Sequence, residues 1–374
     1  MMRALVLFGT RPEAIKLAPV IKELKRRGRK PQVCVTAQHR EMLDQVLRLF
    51  EIRPDWDLGI MRPDQSLFQI TTRGLGAIEG VLEAARPELV LVQGDTTTAF
   101  VGALAAFYRK IGVGHIEAGL RSGDKLAPFP EEMNRRLADE LSDWLFAPTE
   151  KAKANLLREG FPKERIFVTG NTVIDALLWM AERLKAPAAQ ARLERKFAEL
   201  GLDPEKRLIL VTAHRRESFD RLGAICQGLR LIAENNRDVE LVYPVHLNPR
   251  VQGPVRRALQ GLERVHLLEP LDYEAFVWLM SRAYLILTDS GGLQEEAPSL
   301  GKPVLVMRER TERPEALAAG TAKLVGLDPQ EIFQEAQRLL SDPAEYAKMA
   351  RAVNPFGDGH AAERIVAILE EQLS

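Results

Sequence analysis

Short runs of Val, Ile and Leu alternate, almost from end to end of the chain, with longer segments whose apolar positions recur every three or four residues. Apolar runs bounded by turn formers predict buried strands, and the 3.6-residue period between them predicts the helices that cover those strands. In the first half the pattern predicts strands over Ala4–Phe8, Gln32–Thr36, Leu89–Val92, Val113–Ile116, Trp144–Ala147 and Ile166–Thr169, with helices such as Ala14–Arg27 and Thr98–Lys110. In the second half it predicts strands over Leu208–Thr212, Glu240–Val245, Val265–Leu268, Leu285–Thr288 and Val304–Val306. This alternation is the signature of parallel βαβ units, and the class is α/β. The rhythm restarts after Ala186-Pro187-Ala188-Ala189, where an Ala/Arg/Glu-rich helix precedes a fresh strand. Two doubly wound, Rossmann-like domains are therefore expected, dividing between residues 170 and 200.

The length of 374 residues accommodates two such domains at roughly 150 residues each. Lys plus Arg number 52 and balance 52 Asp plus Glu, so there is no bulk field to hold nucleic acid or an anionic membrane, and any basic site is local. Two cysteines, Cys34 and Cys226, stand far apart in apolar settings, which excludes a disulfide framework or zinc knuckle and points to a reducing compartment. No apolar stretch approaches a membrane span, and the N-terminus shows no cleavable signal. A cytoplasmic protein is expected.

Open α/β sheets bind ligands beyond the carboxyl ends of their strands, so two of them in one chain are expected to face a common cleft. The residues that follow strands are thus the informative ones. After the first strand comes Gly9-Thr10-Arg11-Pro12-Glu13, with Thr10 and Glu13 at capping-box spacing and Pro12 suited to a first helical turn. Either this is a well-capped helix with a solvated arginine, or Arg11 holds a phosphate at a positive helix terminus. Asp95 and Glu117 end two further strands, predicted to be neighbours. Glu131 lies in an acidic first turn after Phe129-Pro130. Taken singly, Asp95 reads as an N-cap, Glu117 as the partner of an arginine and Glu131 as a helix-dipole residue. Three acids at one cleft mouth exceed what capping needs and suit acid/base work.

The second half carries different chemistry. His214, followed by Arg215 and Arg216, comes after one strand, and His246 after the next. Asp289-Ser290-Gly291-Gly292 forms a strand end, glycine turn and helix start. Ser290, Gly291 and Gly292 fit a phosphate cradle, with a plain left-handed turn as the alternative. Glu296, one turn on, reads as a ribose-diol acceptor or a solvated glutamate, and Phe276 as core or as a base-stacking ring. Acids in the first half and anion-binding features in the second fit a nucleotide diphosphate held by one domain, with its sugar presented to the carboxylates of the other. No G-x-G-x-x-G follows the first strand, so a dinucleotide oxidoreductase loses support. H-E-x-x-H, Cys/His ligand spacing and G-x-S-x-G are also missing.

Gly9-Thr10-Arg11-Pro12-Glu13-Ala14, Gly94-Asp95-Thr96-Thr97-Thr98, His115-Ile116-Glu117-Ala118-Gly119-Leu120-Arg121, Pro130-Glu131-Glu132-Met133-Asn134-Arg135, Gly170-Asn171-Thr172-Val173-Ile174-Asp175, Thr212-Ala213-His214-Arg215-Arg216-Glu217 and Asp289-Ser290-Gly291-Gly292-Leu293-Gln294-Glu295-Glu296 closely resemble the non-hydrolysing UDP-N-acetylglucosamine 2-epimerases of bacteria. The likeness extends to Asn354-Pro355-Phe356-Gly357-Asp358-Gly359. It implies the GT-B-type fold, with residues 1–170 and 171–354 as the two domains and 355–374 packing back on the first. It also implies interconversion of UDP-N-acetylglucosamine and UDP-N-acetylmannosamine without a cofactor or metal, by loss of the carbon-2 proton and UDP to give 2-acetamidoglucal and re-addition of UDP. The product would supply surface-polysaccharide synthesis, and the enzyme would be a homodimer.

By the same resemblance the catalytic set is Asp95, Glu117, Glu131 and His214. The acids would handle proton transfer and cation stabilisation, and His214 the departing diphosphate. Substrate contacts would come from Arg11, Lys16, Arg135, Phe276, Ser290, Gly291, Gly292, Glu296 and Arg313. Gln38, His39 and His246 resemble parts of an activator site for UDP-N-acetylglucosamine. The rival readings are a GT-B glycosyltransferase, a hydrolysing 2-epimerase and a silent nucleotide-sugar sensor. Fold alone separates none of them.

Overall fold

Strands that are apolar at every position need cover on both faces, and helices supply it here. The computed structural model describes residues 2–36, 40–62 and 64–373. One sheet contains β1 (Ala4–Phe8), β2 (Gln32–Val35), β3 (Trp56–Asp57), β4 (Leu89–Gln93), β5 (Gly112–Ile116), β6 (Trp144–Ala147) and β7 (Ile166–Val168), in the order β3-β2-β1-β4-β5-β6-β7. The other contains β8 (Arg207–Thr212), β9 (Val239–Pro244), β10 (Val265–Leu268), β11 (Ala283–Thr288), β12 (Val304–Val306) and β13 (Ala322–Leu324), in the order β10-β9-β8-β11-β12-β13. Every pairing in both sheets is parallel. Each sheet thus reverses its winding at one point, β1/β4 in the first and β8/β11 in the second. Doubly wound sheets open a ligand crevice at such a reversal.

The predicted strands appear with ends shifted by at most two residues. β3 and β13 are additional, because β3 has only two residues and Lys323 interrupts the apolar run of β13. The chain divides into two compact units at Ala176/Leu177 and again at Pro355/Phe356, so the last helix, Ala361–Gln372, belongs with the first sheet. Glu370 of that helix pairs with Arg27 (3.1 Å) and Arg29 (2.7 Å). Asp175 accepts the backbone N–H groups of Ala361 (3.2 Å) and Ala362 (2.8 Å) at its start, and burial pushes the Asp175 carboxyl up to about 6.

In the first unit Leu5, Leu7, Val90 and Val92 pack against Ile78, Val81 and Val101 of two covering helices. In the second, Ile209, Val211, Leu241 and Leu287 pack against Ile225, Leu229, Ile232 and Ile332. Cys34 and Cys226 are free and buried in these cores, and burial pushes each thiol up to about 12. Among the described residues, no helix is long and apolar enough to cross a membrane, and no group of three or more His, Cys, Asp or Glu could hold a metal ion.

Local capping sets the turns that carry the chemistry. Thr10 and Glu13 form the expected capping box at the start of the helix Arg11–Arg26, with Pro12 in its first turn. The helix after β4, Thr97–Tyr108, is capped by Thr96 and not by Asp95, because the Thr96 hydroxyl accepts the Ala99 N–H (3.1 Å). Asp95 is thereby released from the capping role.

Candidate active site

At the reversal of the first sheet, the buried Glu13 carboxylate joins two turns. Its Oε2 accepts the N–H groups of Gly9 (3.1 Å) and Thr10 (2.8 Å) and the Thr10 hydroxyl (2.7 Å), while Oε1 accepts the Thr96 hydroxyl (2.7 Å). Burial raises the pKa of Glu13, and these donors oppose the rise. A Cβ on Gly9 would collide with the hydroxyls of Thr36 and Thr98, so only glycine fits the turn after β1. Arg11 opens the following helix half-buried, and no described residue hydrogen-bonds or ion-pairs with its guanidinium.

Glu117 follows β5 with φ of +73°, in the left-handed region that a residue with a side chain seldom adopts. The Phe146 carbonyl of the neighbouring β6 end accepts the N–H groups of both Glu117 (3.0 Å) and Ala118 (3.1 Å), fixing the turn. The carboxylate is 6% exposed and is gripped by Lys16 Nζ at 2.7 and 2.6 Å, by the Asn171 amide at 3.0 Å and by the Gln93 amide. The expected arginine partner is a lysine, one turn into the first helix. Such backbone strain, held in place by three surrounding elements, is common at functional sites.

Asp95 stands at the end of neighbouring β4. A Cβ on the preceding Gly94 would lie 3.6 Å from Glu117 Oε2, so the two acids end adjacent strands. The helix Glu131–Leu141 secures Asp95 twice. Asn134 donates to its carbonyl (3.0 Å), and Arg135 pairs with its carboxylate (2.5 Å). Glu131, one turn before Arg135, is half-buried and has no hydrogen-bond or ion-pair partner among the described residues. Its neighbour Glu132 is fully buried and structural, accepting the Ser122 N–H (3.0 Å) and Arg136 (3.2 Å).

Below these acids lies His115, fully buried, with Nδ1 2.6 Å from Asp139 and Nε2 2.7 Å from the Gly94 carbonyl. Both partners are acceptors, which suits the doubly protonated ring. Burial depresses the His115 pKa, but Asp139, the Gly94 carbonyl and Glu117 outweigh it and the net shift is upward. Asp139 also accepts from the Gly119 N–H (3.2 Å) and pairs with Arg121 (2.7 Å).

At the reversal of the second sheet, Asp289 follows β11 fully buried, and its Oδ2 accepts the N–H groups of His214 and Arg215, each at 2.7 Å. The His214 ring stacks on His246, with centroids 5.7 Å apart and planes at 13°. Burial lowers the His214 pKa, helped by His246 and Arg215 and opposed by Asp289. Ser290 occupies the N-cap position of the short helix Gly291–Glu296 without a side-chain capping bond, and neither Gly291 nor Gly292 has positive φ, so the left-handed turn is not what the glycines are for. Their need is space. A Cβ on Gly291 would lie 3.4 Å from Arg215 Nη2 and 3.8 Å from the Arg313 guanidinium, so two cations converge on this backbone. Glu295 anchors Arg313.

A model of the UDP-N-acetylglucosamine 2-epimerase family matches residues 22–370. The UDP-N-acetylglucosamine 2-epimerase of Salmonella typhimurium is 57% identical over 372 residues, covering 99% of this chain and 98% of that one. This chain belongs to that family. The structure of the Neisseria meningitidis UDP-GlcNAc 2-epimerase bound to UDP-GlcNAc matches with a TM-score of 0.91 and 52% identity, over 99% of this chain and 100% of that one. A Methanocaldococcus jannaschii enzyme in complex with UDP-GlcNAc and UDP matches at 0.82 and 36%, with coverage of 99% and 100%. The protein is an epimerase of α/β architecture, sharing the GT-B-type fold of these relatives.

In this epimerase, Glu296 is half-buried, with Oε1 3.4 Å from a Cβ built on Gly292. The buried Tyr273 phenol feels its charge; burial and then Glu296 raise that phenol well above its ordinary range. Phe276 lies half-buried on the helix Tyr273–Arg282. His246 is exposed except for its stacking on His214. Gln38 and His39 lie outside the described residues. Sequence reasoning missed the grip of Gln93 and Asn171 on Glu117, the His115–Asp139 pair, Asp289 and the convergence of Arg215 on Gly291. The available signal was position, since His115, Gln93, Arg215 and Asp289 all lie at or just beyond strand ends.

Proposed function

We propose that this epimerase interconverts UDP-N-acetylglucosamine and UDP-N-acetylmannosamine in the cytoplasm by elimination and re-addition of UDP, without hydrolysis, and feeds surface-polysaccharide assembly. In the forward direction the carbon-2 proton passes to a carboxylate, the carbon-1–oxygen bond breaks, and UDP departs from 2-acetamidoglucal. Return of UDP to carbon-1 and of a proton to the opposite face of carbon-2 completes inversion. Protonation from either face needs more than one acid/base group. The observation that carries this reading is the pair of carboxylates, Asp95 and Glu117, on adjacent strand ends, each held by a cation, with Glu131 left without a partner among the described residues.

Asp95, Glu117 and Glu131 share proton transfer and stabilisation of the cationic character at carbon-1. The second unit supplies charge for the departing diphosphate, with His214, Ser290, Gly291, Gly292, Arg215 and Arg313 around the anion and Glu296 and Phe276 toward the nucleoside. Arg11, Lys16 and Arg135 complete the charge balance around the sugar and phosphate. Support comes from the convergence of two guanidiniums on Gly291, since fixed donors stabilise a developing anion without reorganising. Incubation with UDP-N-acetylglucosamine in deuterated water tests the reading. Deuterium at carbon-2 of both epimers, with UDP-N-acetylmannosamine as product, is expected. No exchange would favour a glycosyltransferase or sensor, and free N-acetylmannosamine would mark the hydrolysing activity.

A further inference from the structure

Asp289 does more than its turn requires. It is fully buried, and Oδ2 alone accepts both backbone N–H groups that shape the His214 turn. A neutral acceptor would serve that purpose without placing a charge in the interior. The other oxygen, Oδ1, is also buried and has no hydrogen-bond partner among the described residues, although buried carboxylate oxygens are normally satisfied. It lies 3.7 Å from His214 Nδ1, just beyond hydrogen-bond reach. One face of the imidazole is stacked on His246, which limits how the ring can turn. The His214 side chain is 40% exposed, so the rest of the ring remains open to a ligand.

We propose that Asp289 is the positioning residue for His214, with one carboxylate oxygen fixing the turn and the other taking the Nδ1–H, so that Nε2 is directed at the diphosphate of the bound nucleotide. This rests on the proposed function for the identity of the ligand, but not for the Asp289–His214 pairing itself. Binding of a diphosphate closes the remaining gap, because a proton on the imidazole is then stabilised from both ends, by the carboxylate at Nδ1 and by the phosphate oxygens at Nε2. On departure of UDP the proton shifts toward the leaving oxygen, and on re-addition it returns. Asp289 acts as an orienting group beside the histidine and is not itself a proton donor in the step. Among the described residues, the charged and titratable neighbours of His214 are Asp289 from the end of β11, His246 beyond β9 and the adjoining Arg215, whose guanidinium reaches Glu312 at 3.9 Å. Of these, Asp289 favours the protonated ring, and His246 and Arg215 oppose it.

Asp289→Asn separates the two tasks, because the amide oxygen still accepts the backbone N–H groups while the nitrogen cannot accept from Nδ1. The variant is expected to keep its UDP affinity within about threefold and to lose tenfold or more in kcat. Its His214 resonances should titrate at lower pH than in the wild type, and the matching limb of the kcat–pH profile should move the same way. Unchanged His214 titration with unchanged kcat would overturn the proposal. Nitrogen-15 shifts of His214 in the UDP-saturated wild type provide a reading that does not depend on the variant folding. A protonated, hydrogen-bonded Nδ1 is expected, and a bare Nδ1 would also overturn it. These shifts are read without turnover, so failure of the epimerase reading shows in the deuterium assay while the pairing is judged separately.

Discussion

Lys16 Nζ sits between the two carboxylate oxygens of Glu117, 2.7 and 2.6 Å away, and joins the first helix of the chain to the end of β5. The ammonium offsets desolvation of a carboxylate held in strained backbone, and it balances the charge of a group proposed to transfer protons. Lys16→Met removes the ammonium from Glu117 while the amides of Gln93 and Asn171 stay in place. The expected loss is roughly 3 kcal/mol of stability, read from denaturant midpoints, because removing one partner strands a buried charge. Turnover should fall by about 100-fold or more.

Asp95→Asn, Glu117→Gln and Glu131→Gln each remove a titratable oxygen while nearly preserving shape. Each is expected to lower kcat about 100-fold or more while calorimetric UDP affinity stays within a few-fold of wild type. Near-wild-type turnover in all three would remove the carboxylates from the chemistry.

Arg215→Ala should weaken UDP binding by roughly tenfold to a hundredfold, the range for a charge-assisted hydrogen bond. Gly291→Val should do the same, because its side chain would occupy the space toward Arg215 and Arg313. Arg207→Ala, at an exposed pair with Asp238, is the matched control and should leave UDP titrations unchanged.

His115 gains proton affinity on folding, through Asp139 and the Gly94 carbonyl against the opposing effect of burial. Its contribution to stability is therefore complete below the unfolded value of about 6.5 and is lost as pH rises through the higher folded value. Thermal midpoints of the wild type should fall over that alkaline window relative to His115→Gln, whose profile should be flatter.

Asp175 behaves with the same sign although it is an acid, because burial raises its carboxyl from 3.8 to about 6. Its stabilisation is present below the unfolded value and fades as pH climbs to the folded one, a difference of roughly 3 kcal/mol. Asp175→Asn removes the titration but keeps an oxygen for only one of the Ala361 and Ala362 amides, which use Oδ2 and Oδ1 separately. The unfolding free energy of the wild type should therefore fall between pH 4 and pH 7 relative to that of the variant, whose profile should be flatter across this window.

The strand framework was legible because parallel strands buried on both faces leave unbroken apolar runs, as at Ala4–Phe8 and Val304–Val306. β3 has only two residues, and Lys323 interrupts the apolar run of β13, so neither leaves such a signal. Asp95 and Glu117 could be placed on neighbouring strand ends from their spacing alone. The identity of Glu117's partner could not, because Lys16 reaches it across 101 residues of sequence and nothing local distinguishes that lysine from a solvated one. The role of Gly291 was obscured for a similar reason, since the guanidiniums that require its missing side chain come from positions 215 and 313. Likewise, capping by Thr96 and not Asp95 depended on which side-chain oxygen reached the Ala99 amide.

The sulfur inventory has a practical corollary. Both native thiols sit in apolar cores with their ionisation pushed to about 12, so almost none of the reactive anion exists near neutrality. Alkylating dyes and spin labels should pass over the natural chain, and one cysteine engineered at a solvent-facing position, such as Ser341→Cys, would take up a probe alone. Fluorescence or magnetic-resonance signals from that site during turnover are then accessible without first building a cysteine-free background, and a pair of such sites would give distances.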